Sequence, residues 1–181
     1  MTPISTTTRR KISPTTTKSR TRVAIGLGAN LGEARAALAA AAQILSVVLA
    51  GARVASLYRS RPRSPIAQPD FLNTALVGET TLDAGALLGL GKRLEALAGR
   101  RPGPADGPRP LDVDLLLFGE REIQSDDLVV PHPRLRERRF ALAPLAELAP
   151  DWRVPPDGAT LGALLAAVGQ EDEVELLGTL C

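Results

Sequence analysis

At 181 residues, 44% of them hydrophobic and only 3% aromatic, the chain is long enough for one well-cored domain built mainly from Ala, Leu and Val, and short for two. Its formal net charge of +2 at pH 7 belongs to the N-terminus. Residues 1–22 carry Arg9, Arg10, Lys11, Lys18, Arg20 and Arg22 and no acid, so the remainder is acidic overall, which argues against a nucleic-acid-binding body. The one cysteine, Cys181, excludes an intramolecular disulfide and fits a reducing compartment, and a terminal residue is a poor catalytic thiol.

In chain order, residues 1–22 are Thr, Ser, Lys and Arg with little apolar content, too little to offset ordering entropy, and are expected to be a disordered basic tail. Their make-up suits an organellar transit peptide as well as a plain tail, and a plain tail is the reading adopted. A domain is expected over 23–181. Val23–Gly28 reads as a strand and Glu33–Val47 as a helix. The uncharged run Ala36–Ala52 is broken by Gln43, Ser46 and Gly51, so it reads as a core helix entering a strand, with no membrane span expected. Arg53–Tyr58 and Phe71–Thr80 read as strands flanking a proline-rich loop, 59–69. A helix is expected from Thr81 or Asp83 to Ala98, stopped by Gly99, with Leu87, Leu90 (or Gly91), Leu94 and Leu97 on its apolar face. After the loop 100–110 come the strand Leu111–Phe118, a hairpin through Gly119–Glu120 to Glu122–Gln124, and helical stretches Arg139–Glu147, interrupted by Pro144, and Leu161–Val168. The order β-α-β-β-α-β with C-terminal additions implies an α+β domain, a mainly antiparallel sheet with helices packed on it.

Gly26, Gly28 and Gly32 join a strand to a helix, but Leu31 stands where a dinucleotide fingerprint needs glycine, and no acid lies between Glu33 and Asp70. These glycines are read as a tight strand-to-helix turn. The segment Leu111–Phe118 carries more chemistry. Strand alternation puts Leu111, Val113, Leu115 and Leu117 on one face and Asp112, Asp114, Leu116 and Phe118 on the other. Carboxylates two residues apart on one face lie roughly 6–7 Å apart and repel when partly buried, unless a hard divalent cation bridges them. In isolation the pair is better explained as a solvated strand face. However, Arg109 precedes it directly and Arg100 and Arg101 open the same loop, a combination suited to phosphate plus metal. The bland alternative makes these arginines counter-ions of the aspartates. His132, the only histidine, sits between two prolines and is followed by Arg136, Arg138 and Arg139. Asn73 could read the edge of a heterocycle.

Together GLGANLG (26–32), SLYRS (56–60), QPDFLNTAL (68–76), GPRPLDVDLLLFG (107–119) and VPHPRLRERRFALAPLAELAP (130–150) resemble the 6-hydroxymethyl-7,8-dihydropterin pyrophosphokinase family of folate biosynthesis. The resemblance spans about residues 23–155. It implies a ferredoxin-like fold and transfer of the terminal pyrophosphoryl group of ATP to the pterin hydroxymethyl oxygen, with release of AMP. By that resemblance Asp112 and Asp114 bind two Mg²⁺ ions, and Arg100 and Arg109 steady the phosphates. Lys92, Glu95, Arg109, Leu115, His132 and Arg138 contact ATP. Ser60, Arg61, Arg63, Phe71, Asn73 and Phe140 bind the pterin, the two rings sandwiching it. It implies a cytoplasmic enzyme acting as a monomer on small molecules, with neither nucleic acid nor membrane as partner.

The chain departs from the family pattern at Ala29, where serine is usual, and at Arg61 and Ser64, where proline and glycine are common. Asp106 stands where a tryptophan often precedes the GPR motif, in a loop that reads as shortened. These departures keep open an alternative, a pterin- and nucleotide-binding homologue with weakened catalysis.

Overall fold

A computed structural model of the chain describes residues 19–104, 106–169 and 173–180. The expected tail therefore lies mostly outside the described residues, as does Cys181. The tail boundary is corrected at its inner end, since Thr21 and Arg22 already belong to the first strand.

The elements are β1 (Thr21–Ala29), α1 (Ala34–Val48), β2 (Ala50–Val54), β3 (Leu57–Ser60), β4 (Phe71–Thr80), α2 (Ala84–Leu97) and β5 (Asp112–Phe118), then β6 (Ile123–Gln124), β7 (Val129–Val130), a 3-10 turn (Leu135–Glu137), α3 (Arg139–Leu148), β8 (Arg153–Val154), β9 (Ala159–Thr160), α4 (Leu161–Ala167) and β10 (Val174–Gly178). The principal sheet runs β10-β3-β4-β1-β5, with β2 also pairing β4, and every pairing is antiparallel. This is the ferredoxin-like β-α-β-β-α-β arrangement.

Each face of the sheet carries its own core. On one, α1 inserts Leu38, Ala41, Ala42 and Leu45, at helical spacing, beside Leu87 and Leu94 of α2 and Ile25, Leu27, Val113 and Leu115 of the sheet. On the other, α3 and α4 bring Leu142, Leu145 and Leu161 against Ala24, Ala75, Val77 and Leu117. Asp83 caps α2 by accepting from Ala86 N at 2.8 Å, and Gly99 at φ 84° follows its end. Gly91 lets α2 approach β5 closely, because a Cβ there would stand 3.0 Å from Val113 Cγ1.

Several expectations are corrected. The strand expected over Arg53–Tyr58 is two strands, β2 and β3, which pair with different stretches of β4. Ile123–Gln124 forms no hairpin with β5 but pairs with Val129–Val130 in a separate ribbon. Leu97, at the end of α2, is 82% exposed. Pro144 does not end α3; it sits inside the helix and forgoes only its own N–H bond. The β1–β5 ladder shifts register between Ala24 and Ile25, which leaves Leu116 extra on β5. That bulge turns Leu117 to the α3 core and Phe118 to the α1 core, the reverse of strict alternation.

Candidate active site

Gly26 and Gly28 lie within β1, not in the turn that follows it; only Gly32, at φ 59°, has a turn conformation. Their registers set the centre of the site. Gly28 pairs with Asp112 on one side and Asn73 on the other, and Gly26 pairs with Asp114. Directly paired residues point to the same face, so β1 offers bare backbone between the acids of β5 and the amide of β4. A Cβ on Gly28 would meet Asn73 Oδ1 at 3.4 Å and Asp112 Cβ at 3.9 Å. Above this floor opens a cavity of about 440 Å³, walled by the loops 59–69, 100–110 and 131–138 and by the start of α3.

Asp112 and Asp114 both line the cavity, as alternation requires. Asp112 is ion-paired with Arg100 through Oδ1 and with Arg109 through Oδ2, the latter at 2.9 Å. Behind Arg100 stands the buried Glu95, 4% exposed, whose Oε1 accepts from Arg100 Nη1 at 2.5 Å and from Val113 N at 3.0 Å. Its Oε2 accepts from Lys92 Nζ at 3.1 Å. Glu95 thus does not line the cavity; it braces Arg100 and ties α2 to β5. Arg109 is fixed from the opposite side. The buried Asn30 accepts from Arg109 N at 2.8 Å and donates to Gln68 Oε1 and the Pro69 carbonyl, joining the loops 59–69 and 100–110.

Among the described residues the cation nearest Asp114 is Arg138, with Nη1 at 3.9 Å, and His132 Nε2 stands 4.0 Å away. Burial, reinforced by Asp112, raises its carboxyl to about 6. His132 is shifted the other way. Burial, with Arg138 and Arg134 nearby, lowers it to about 4, so the ring is neutral at pH 7. Its Nδ1 accepts from Arg134 N at 3.2 Å, which assigns the proton to Nε2, the nitrogen facing Asp114. Burial also lowers Arg138, whose guanidinium lies 5.4 Å from the Phe140 ring centre.

At the other end of the cavity Asn73 Nδ2 donates to Ser60 Oγ at 2.9 Å, both residues buried. Phe71 and Phe140 line the walls, and Arg109 lies 5.6 Å over the Phe71 ring. Arg61 and Arg63 stand at the rim, Arg63 donating to the Glu137 carbonyl at 2.7 Å.

Of the residues the sequence pointed to, the fold therefore gathers Ser60, Arg61, Arg63, Phe71, Asn73, Lys92, Arg100, Arg109, Asp112, Asp114, His132, Arg138 and Phe140 around one cavity. Leu115 is not among them, because its side chain alternates away into the α1 core. Asp106 and Arg134 also line the cavity and were missed as site residues, along with the glycine floor. The Asp106 departure from the family pattern was the one signal in the sequence that could have drawn attention to that loop.

The pair of carboxylates fits Mg²⁺. This hard ion takes oxygen donors, and one or two carboxylates suffice when phosphates and water complete the shell. Asp114, desolvated and with its nearest guanidinium 3.9 Å away, is the kind of acid that gains from such a partner. Among the described residues no trio of His, Cys, Asp or Glu forms an all-protein metal cage.

A family model of 7,8-dihydro-6-hydroxymethylpterin-pyrophosphokinase (HPPK) matches residues 24–150. A 2-amino-4-hydroxy-6-hydroxymethyldihydropteridine pyrophosphokinase of Pseudomonas aeruginosa is 43% identical over 150 residues, covering 81% of this chain and 91% of its own. The protein of the same description from Synechocystis is 38% identical over 146 residues, covering 80% of this chain and 74% of its own. Among solved structures, wild-type HPPK-DHPS of Plasmodium falciparum with SDX-DHP superposes with a TM-score of 0.65 at 13% identity. That match covers 84% of this chain but only 45% of the solved one, and it supports the fold alone. With a family model spanning most of the cavity-forming segments, and relatives at this identity over most of their own length, the chain belongs to the 7,8-dihydro-6-hydroxymethylpterin-pyrophosphokinase family of diphosphotransferases.

Proposed function

We propose that the chain carries out its family's reaction, moving the terminal pyrophosphoryl group of ATP to the hydroxymethyl oxygen of 6-hydroxymethyl-7,8-dihydropterin and releasing AMP, with the division of labour described here. The observation that carries it is one cavity with two chemically different ends. The Asp112–Asp114 pair shares one end with arginines from the loops 100–110 and 131–138, and the Asn73–Ser60 pair marks the other, with the Phe71 and Phe140 rings on the walls.

Transfer of this kind asks little covalent help of a protein and much positioning and charge neutralisation. In this reading Arg100, Arg109 and Arg138 hold the triphosphate, Lys92 assists at the same end, and the neutral His132 offers its Nε2–H as a hydrogen-bond donor; that all five line one cavity supports it. Asp112 and Asp114 would hold two Mg²⁺ ions, which when bound neutralise phosphate oxygens and ease loss of the hydroxyl proton. Glu95 acts through Arg100. Asn73 reads the pterin edge, while Phe71 and Phe140 stack on its faces, with Ser60, Arg61 and Arg63 closing that end. The reading includes cytoplasmic work as a monomer. The single cysteine fits the first. Among the described residues no helix is long and apolar enough to cross a membrane.

One observation favours the second reading, a binding homologue with weakened catalysis. Both oxygens of Asp112 are already taken by Arg100 and Arg109. In the catalytic reading those guanidiniums leave Asp112 for the phosphates when ATP arrives with its metal. Chromatographic measurement of AMP formed from ATP, Mg²⁺ and the hydroxymethyl pterin separates the two. AMP in step with pterin diphosphate supports catalysis; tight pterin binding without AMP above background supports the homologue.

A further inference from the structure

Asp106 differs from Asp112 and Asp114 in lying on a loop, opposite arginines rather than on the strand floor. Its position is set by a tight turn in which Gly107 N donates to the Pro104 carbonyl at 3.1 Å. A Cβ on Gly107 would lie 2.9 Å from Pro104 Cγ, so glycine is needed there. Asp106 itself has φ 54°, a left-handed conformation that aspartate tolerates better than most residues. Its carbonyl accepts from Gln68 Nε2 at 2.9 Å, a second anchor. So held, the carboxylate meets Arg134 as a fork, Nη1 to Oδ2 and Nη2 to Oδ1, both at 3.1 Å. Arg138 Nη2 stands 3.8 Å from the same Oδ1.

A forked carboxylate–guanidinium pair presents two oxygens to arginine in the way a phosphate group does. We propose that Asp106 is a built-in stand-in for phosphate, holding Arg134 in the ligand-free chain and yielding it to the nucleotide triphosphate, so that Arg134 is a phosphate ligand shared in turn by carboxylate and nucleotide. The inference deepens, and rests on, the reading of this cavity as a triphosphate site.

Two further observations support the exchange. The pair is partly exposed, with Arg134 at 52% and Asp106 at 38%, so an incoming anion can reach it and little is lost on breaking it. The hydrogen bonds from Arg134 hold the Asp106 carboxyl below the usual carboxylate range, so its charge is present at neutral pH. The acid thereby keeps a long, flexible cation oriented toward the cavity, and its own charge competes with the ligand.

Removing the competitor should tighten binding. Isothermal titration calorimetry on the full chain, with a non-hydrolysable ATP analogue plus Mg²⁺ and separately with inorganic tripolyphosphate, reads this directly. Asp106→Asn and Asp106→Ala should bind both ligands about two- to fivefold more tightly than wild type, the gap narrowing in about 0.5 M NaCl. Arg134→Gln should bind more weakly, and Asp106→Asn added to Arg134→Gln should bring no gain. Unchanged or weaker binding in both Asp106 variants contradicts the exchange. So does a gain that persists without Arg134, which would make Asp106 only a source of repulsion. AMP formation by the wild-type chain is assayed apart. AMP formed while Asp106 variants bind unchanged overturns the exchange alone, whereas absence of AMP bears on the catalytic reading.

Discussion

Asp114 is held in a setting that suits a bound cation better than it suits the bare chain. Burial and Asp112 raise its carboxyl from 3.8 to about 6. A carboxyl harder to ionise folded than unfolded destabilises the fold once pH exceeds its unfolded value. The penalty is absent below about 3.8 and complete above about 6. Discounted for a side chain still 34% exposed, it amounts to about 1 kcal/mol. Asp114→Asn should therefore raise the melting temperature by about 2–4 °C at pH 8 without metal, and by nothing near pH 3.5, while lowering turnover about 100-fold or more. An equal gain at both pH values contradicts the assignment. His132 has the opposite slope. Its folded value of about 4 lies below 6.5, so it contributes stability above pH 6.5 that is lost as pH falls toward 4. His132→Asn should flatten that acid limb in thermal melts, and a limb as steep as wild type would show that the ring does not carry it.

Among the elements, β1 determines the site by lacking side chains and α2 by bracing it. Gly28→Val suits a strand, and its Cβ meets only ordinary contacts, but its methyl groups would enter the floor. The melting temperature should move by no more than about 2 °C while kcat/KM falls at least about tenfold; wild-type kinetics would show that the floor is not where substrate lies. Glu95→Leu leaves Val113 N without its partner and Arg100 without its brace. It should lower unfolding free energy by about 2–4 kcal/mol in urea titrations. A loss under about 1 kcal/mol would show that Glu95 supports function only. Much of this was readable in the sequence where a local rule decides the outcome. Phe71–Thr80 is a strand end to end, and alternation puts both aspartates on one face. What escaped was set by partners distant in sequence. The bulge at Leu116 comes from register against β1, the pairing of Ile123–Gln124 from the later Val129–Val130, and the floor role of Gly26 and Gly28 from their neighbours on both sides. Leu115, by contrast, obeys the local alternation that already set it opposite the aspartates, and its side chain enters the core; β10, unanticipated, joins the sheet edge beside β3.

For the molecule as a whole, the ferredoxin-like sheet supplies a rigid floor, and three loops joined through Asn30 and Gln68, and through Asp106 and Arg134, supply the walls. Among the described residues the lining of the cavity runs from Gly26 to Ala141, so deleting residues 1–18 should leave kcat/KM and its salt dependence within about twofold of wild type. A larger loss would give the tail a share in the reaction. The central claim is that Asp112 and Asp114 gather divalent ions together with a triphosphate. It is tested most directly by Mn²⁺ titration followed by electron paramagnetic resonance, with and without a non-hydrolysable ATP analogue, in wild type, Asp112→Asn and Asp114→Asn. Nucleotide-dependent Mn²⁺ binding in wild type, weakened about tenfold or more in each variant, is the expected result. Binding of equal strength in all three proteins would contradict it.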